Sequence, residues 1–333
     1  MTCKERVINA IKHKKVDFLP YELDLTEPVH EKLVEYFNDE NFLFTKVNNH
    51  MVRARNLNHT FIDSESYIDI FGIKWQVDDA NGDIGIVKKY FLESGNLSDY
   101  DFPEPDQNLI RLGCSNLEKN FKDKFKIFEL CLSFFERAWT LRGMEDLLTD
   151  FLINEEFANL LLDKITEYNL KAIDIAAEYD IDCIYFGDDW GQQQGLIMGY
   201  PIWKKFLYPR LKKMYDRVKK HNMFIIQHSC GDNYQLFKDL IEIGLDVYNT
   251  FQPEIYNPSI FKKEFGKDLT IYGGISVQGV LAQGTPEEVY EETKQMMEIL
   301  GEDGAYIVAP THQCTPDVSI DNIMAFLKAV QNQ

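Results

Sequence analysis

The sequence lacks the features that would place it in a membrane, outside a reducing compartment or on a nucleic acid. No stretch reaches 18 consecutive apolar residues, so no segment is expected to span a bilayer. The start, MTCKERVINAIKHKK, has no long apolar run and is not expected to act as a signal peptide. Six cysteines, at 3, 114, 131, 183, 230 and 314, are scattered over 333 residues. That is no disulfide framework, and a cytoplasmic protein with reduced thiols is expected. Basic residues are outnumbered, 35 Lys+Arg against 54 Asp+Glu, for a net charge of −19. Such a chain repels a phosphate backbone, which argues against nucleic-acid binding. A polyanionic small molecule would need a local basic pocket. Short repeats and low-complexity segments are also missing, and no G-x-G-x-x-G follows an early strand, which argues against a dinucleotide-binding sheet.

What is present is material for a large core: 45% of residues are hydrophobic and 13% aromatic, which excludes global disorder. From about residue 125, short apolar runs alternate with longer amphipathic stretches. The runs 125-FKIFELCL-132, 183-CIYFG-187, 223-MFIIQH-228, 245-LDVYN-249, 269-LTIYG-273 and 305-AYIVA-309 predict buried parallel strands, and 18-FLPYELDL-25 an earlier one. Helices are expected over 155–179, 201–221, 286–300 and 319–330, with Pro201 and Pro286 in first turns and Thr285 as an N-cap. The arms 68-IDIFGIKWQVDD-79 and 84-IGIVKKYFLE-93 predict a β-hairpin turning at Asn81-Gly82-Asp83. The segment 93-ESGNLSDYDFPEPDQ-107 reads as a loop. Seven strands alternating with helices give an α/β fold with a parallel sheet, either doubly wound or closed as a (β/α)8 barrel. The pattern does not locate an eighth strand.

Polar residues gather at the carboxyl ends of these strands: Glu22 and Asp24, Glu129, Asp188 and Asp189, His228 and Cys230, Asn249, then His312 and Cys314. Parallel strands bring such ends to one face. The sharpest group is 228-HSC-230 with Cys314. Two thiolates and one imidazole suit zinc, with a fourth position left for substrate, which is the catalytic arrangement. The bland alternative is a buried cysteine and a hydrogen-bonded histidine. The acids of 187-GDDWG-191 are either a base, a substrate acceptor or a partner of the ligating imidazole, or else turn and helix-capping residues. Glu129 and Glu136 are further candidates, Glu136 alternatively pairing with Arg137. Trp190, Trp203 and Tyr200 line a pocket or fill the core. His312 either assists the site or is an ordinary loop histidine, and His13, His30, His50, His59 and His221 read as surface or packing residues.

In order and spacing, several segments resemble the uroporphyrinogen decarboxylase-like superfamily, and within it the zinc-dependent corrinoid methyltransferase branch. They are 6-RVINAIKHKKVDFLPYE-22, 69-DIFGIKW-75, 134-FFERAWTLRGMEDLLTDF-151, 187-GDDWGQQQGLIM-198, 228-HSCGD-232, 273-GGISVQGVLAQGTPEEV-289 and 305-AYIVAPTHQCTPDVSIDNIMAF-326. The resemblance implies one (β/α)8 TIM-type barrel domain over 1–333. The first strand and a hairpin-bearing extension would occupy 1–105 and the main part of the barrel 106–333. It implies zinc on His228, Cys230 and Cys314; Asp188, Asp189 and Glu129 are expected as catalytic residues from their placement at the strand ends. It further implies a corrinoid carried by a partner protein, and methyl transfer to or from a small thiol, ether or alcohol. The superfamily's decarboxylases carry an arginine-rich segment near the N-terminus, whereas 20-PYELDLTEPVHEKL-33 has no arginine. Metal-free uroporphyrinogen decarboxylation is thus one alternative; a zinc hydrolase and a non-catalytic zinc-binding barrel are others.

Overall fold

The computed structural model describes residues 1–57, 59–63, 65–77, 85–98 and 100–333. Among these, seven strands form one parallel sheet: β1 (Met51–Arg55), β2 (Phe125–Leu130), β3 (Cys183–Gly187), β4 (Phe224–His228), β5 (Val247–Phe251), β6 (Thr270–Ile275) and β7 (Tyr306–Pro310). Spatial order follows chain order, and each connection carries one or more helices, the construction of an α/β barrel. The helices lie where amphipathic spacing predicts them. Glu155–Ala176 leads into β3, Tyr208–Lys220 into β4 and Pro286–Gly301 into β7, and Ile320–Gln331 follows β7. Thr285 and Glu288 form a reciprocal capping box, and Ser319 caps the last helix.

Six of the seven sheet strands coincide with apolar runs. The seventh, β1, does not: MVRAR alternates apolar residues with arginines, so it is no apolar run. The segment 18–25, expected as a strand, is instead tied to β7 and the loop after it by two isolated parallel bridges, Tyr21↔Val308 and Leu25↔Cys314. Its other edge meets the entry to β1. There the His50 N–H donates to the Tyr21 carbonyl at 3.3 Å. The Asn49 amide accepts from the Leu23 N–H at 2.9 Å and donates to the Leu23 carbonyl at 2.8 Å. One side chain thus completes the seam, and residues 20–25 act as the eighth stave.

Alternate strand residues pack inward. Met51, Phe125, Ile127, Cys183, Ile226, Val247 and Ile307 form one apolar cluster with Val7 and Ile11 of the helix Cys3–Ile11. The other strand faces join the larger core under the helices.

The extension after β1 is an antiparallel sheet of His59–Asp63, Ser66–Asp69, Lys74–Gln76 and Ile86–Val87. The expected hairpin corresponds to the Trp75↔Val87 and Gln76↔Ile86 pairs, while its turn at 81–83 lies outside the described residues. The first arm is not continuous, because the chain turns at Gly72, whose φ is +78°. Asp69 anchors this extension: its carboxylate accepts from Trp75 Nε1 at 3.1 Å and Arg137 Nη1 at 2.6 Å. Arg137 therefore pairs with Asp69, not with its neighbour Glu136.

Asn49→Leu would leave a buried N–H and a buried C=O of Leu23 without partners. A stability loss of about 2–4 kcal/mol is expected, read from the urea unfolding midpoint. An unchanged midpoint would show that closure does not rest on this amide.

Candidate functional site

The carboxyl ends of the strands surround a cavity of about 220 Å³, lined by Glu22, Asp24, Arg53, Arg55, Glu129, Glu136, Tyr185, Asp189, His228, Asn249, Tyr272 and His312 among others. The convergence expected from the sequence is therefore found, with two arginines that the sequence reading left out.

Glycine packing places the two sharpest motifs side by side. A Cβ on Gly191 would lie 2.6 Å from the Gly231 carbonyl carbon, and one on Gly231 2.3 Å from that of Gly191. Only glycine allows the loops after β3 and β4 to touch there. The contact brings Asp189 to Cys230, whose N–H donates to Asp189 Oδ1 at 2.7 Å. The same carboxylate oxygen lies 3.5 Å from His228 Nε2.

His228 ends β4. Its Nδ1 is 2.5 Å from Asn249 Oδ1, which also accepts from the Tyr185 hydroxyl at 2.7 Å. An amide oxygen only accepts, so Nδ1 carries the proton and Nε2 offers a lone pair. Nε2 lies 3.5 Å from Cys230 Sγ. Among the described residues, His228, Cys230 and His312 form a group whose donor atoms all lie within 4.8 Å of one another. Two imidazoles, one with its tautomer fixed, and one thiol are a donor set that fits zinc. Burial, with Asp189 and Glu136 nearby, pushes the Cys230 thiol well up; a divalent cation would favour its thiolate.

Cys314 is not in this group. It is fully buried in the main apolar core and does not line the cavity. His312, weighed in the sequence only as an assisting residue, lines it, with its ring centroid 5.9 Å from that of His228. One signal was available: 228-HSC-230 and 312-HQC-314 share the spacing H-x-C.

The paired acids part company. Asp188 is fully buried and does not line the cavity. Its carboxylate accepts the N–H groups of Phe134, Phe135 and Glu136 at 3.2, 3.0 and 2.8 Å, and Trp190 Nε1 as well. It caps the helix Phe135–Arg142, the structural role weighed for this motif. Burial pushes its carboxyl up to about 7, against the pull of these donors. Asp189 faces the cavity. Trp190 and Trp203 are fully buried core residues.

Glu129 lines the cavity but is engaged by both arginines: Arg53 Nη1 at 3.2 Å and Arg55 Nε at 3.1 Å. Although burial opposes it, the charges of Arg55 and Arg53 hold its carboxyl down at about 2. Arg53 also donates to Glu22 and stacks on Tyr185, its Cζ 4.6 Å from the ring centre. Arg55 lies 3.8 Å from Asp24. Burial pushes the Glu22 carboxyl up, opposed by Arg53. Burial, with Asp189 and Asp188, pushes Glu136 well up.

The uroporphyrinogen decarboxylase (URO-D) family profile matches residues 2–333. The chain is 21% identical over 313 residues to the methylcobamide:CoM methyltransferase MtbA of Methanosarcina acetivorans, covering 90% of this chain and 89% of that protein. It is also 21% identical over 213 residues to a methylated-thiol–coenzyme M methyltransferase of Methanosarcina mazei, covering 64% of this chain and 55% of the relative. This chain thus spans about half the length of that protein. A uroporphyrinogen decarboxylase of Magnetococcus marinus is 21% identical over 54% of this chain and 49% of its own length. A solved methyltransferase structure from Methanosarcina mazei superposes with a TM-score of 0.77 at 17% identity, over 100% of this chain and 99% of that one, so the fold is shared. No helix among the described residues is long and apolar enough to cross a membrane.

Asn249→Leu removes the acceptor that holds the His228 Nδ1 proton. Zinc affinity, measured by chelator competition, is expected to fall about 10- to 100-fold. Unchanged affinity would mean that Asn249 does not orient the ring.

Proposed function

The chain belongs to the uroporphyrinogen decarboxylase (URO-D) family, and from that premise we propose that it is a zinc-dependent methyltransferase. It moves a methyl group between a corrinoid on a partner protein and a small thiol, ether or alcohol. The observation that carries this reading is His228 at the cavity wall, with its Nε2 3.5 Å from Cys230 Sγ. Metal-free decarboxylation has no use for that pair. A substrate rich in carboxylates would also meet Glu22, Asp24, Glu129, Glu136 and Asp189 in the cavity, with both arginines already paired.

His228 and Cys230 would hold the ion, together with a residue from the loop after β7. Zinc supplies Lewis acidity there, favouring the deprotonated form of a thiol or polarising a methyl-bearing oxygen. The protein's own groups do the rest. Asn249 and Tyr185 hold the imidazole. Asp189 fixes the Cys230 backbone and stands where a proton leaving the substrate can be taken up. Arg53, Glu22 and Tyr272 form a rigid polar wall, tied by Arg53 Nη2 to the Tyr272 hydroxyl at 2.6 Å. Leu57, which lines the mouth, and Phe61 and Ile62 on the extension leave apolar surface in solvent, suited to a protein partner above the cavity.

The test is methyl transfer from methylcobalamin to small thiols by the zinc-loaded protein, followed as thioether formation. Activity abolished by Cys230→Ser is expected; zinc-loaded protein inert toward thiols with methylcobalamin, and toward methyl ethers and alcohols with cob(I)alamin as acceptor, would overturn the reading. The tail of the substrate follows from the paired arginines: 2-mercaptoethanol and cysteamine should exceed 2-mercaptoethanesulfonate in kcat/KM by roughly tenfold, the effect of one charge across ~10 Å at an effective dielectric of ~20. A preference for the sulfonate would show that Arg55 or Arg53 is released for the ligand.

A further inference from the structure

We infer that His312, not Cys314, is the third protein donor of the metal site, so that two imidazoles and one thiolate hold the ion. This rests on the zinc reading above and goes beyond it, since the resemblance implies a second cysteine.

Two observations carry the inference. The first is where the donors are. Ligands 2.0–2.3 Å from a tetrahedral ion lie about 3.3–3.8 Å apart. His228 Nε2 and Cys230 Sγ, at 3.5 Å, already have that spacing. His312 completes a group lying within 4.8 Å, on an exposed loop just past β7, so a change of side-chain rotamer is enough to close it.

The second is where Cys314 is held. Its N–H donates to the Asp24 carbonyl at 3.0 Å. Its carbonyl accepts from the Thr26 N–H and hydroxyl, each at 3.1 Å. Its thiol is fully buried among apolar side chains, and burial pushes it up. Its sulfur is not in the group of donor atoms lying within 4.8 Å of one another, and its backbone bridge to Leu25 helps to close the barrel. Its sulfur is therefore structural, a small apolar filler.

The donor set changes the charge of the site. Zinc with one thiolate and two neutral imidazoles carries one positive charge; with two thiolates it would carry none. The site is accordingly selective for a ligand atom that is anionic or becomes so, a thiol sulfur or an alcohol oxygen, and it promotes loss of that proton more strongly.

The test uses the full chain expressed with zinc, by metal content and zinc K-edge X-ray absorption. Wild type should show one sulfur near 2.3 Å and the remaining shell of nitrogen or oxygen near 2.0–2.1 Å. Cys314→Ala should keep one zinc per chain and the same spectrum. His312→Ala should weaken zinc by more than the roughly 10- to 100-fold typical of losing an outer hydrogen-bond partner. Two sulfurs in the wild-type spectrum, or full zinc retention by His312→Ala, would overturn the inference while leaving zinc in place. A wild type that takes up no zinc overturns the metal reading itself, and this assignment with it. The wild-type sulfur count decides the matter even if a variant folds poorly.

Discussion

The mouth of this barrel depends on how residues 20–25 are bonded along both edges. A parallel sheet of seven strands leaves two edges of unpaired backbone groups, which need partners once they are buried. On one edge, Glu22 N–H and the Pro20 carbonyl bond to Val308, and the Asp24 carbonyl and Thr26 N–H bond to Cys314. On the other, the His50 N–H and the Asn49 amide meet Tyr21 and Leu23. Gln313 reinforces the seam, donating to Asp24 Oδ1 at 3.2 Å and the Leu25 carbonyl at 3.1 Å. This seam brings Glu22 against Arg53 and sets His312 over the same cavity, although residues 22 and 312 stand at opposite ends of the chain. It also ties down the backbone of Cys314.

The closed mouth then imposes an electrostatic problem. Arg53 is nearly buried, its side chain 11% exposed, and a buried charge is tolerated only when paired and hydrogen-bonded. Glu22, Glu129 and Tyr272 meet that need. The same network pulls its carboxyls apart: two arginines hold Glu129 down, while burial raises Glu22. The result is a wall that is polar and rigid without offering a free cation among the described residues. Such a wall would be costly as mere scaffolding, because apolar residues of similar volume often stabilise as well. Its value is in specifying what enters, and it bears against anions.

Several parts of this arrangement are legible in the sequence because the physics is local. Apolar runs mark six strands, Thr285 with Glu288 and Ser319 mark helix starts, and H-x-C marks the end of β4. The rest depends on partners far along the chain. MVRAR hides a strand because its arginines point into a cavity that only the folded barrel creates. Asp188 and Asp189 look equivalent, yet neighbours in extended backbone face opposite ways: one caps a helix inside the core and the other faces the cavity. In 312-HQC-314 the sequence shows two soft donors, and only the hydrogen bonds of the seam show that the cysteine is committed elsewhere.

The imidazole of His228 is held from one side by a single amide. Here the Asn249 oxygen receives both the Tyr185 hydroxyl and His228 Nδ1. An amide oxygen has two lone pairs and no proton to give, so two donors saturate it and Nδ1 is one of them. The proton is then on the buried side and a lone pair faces Cys230. That is the configuration a metal ligand needs, and residues of β3 and β5 hold it.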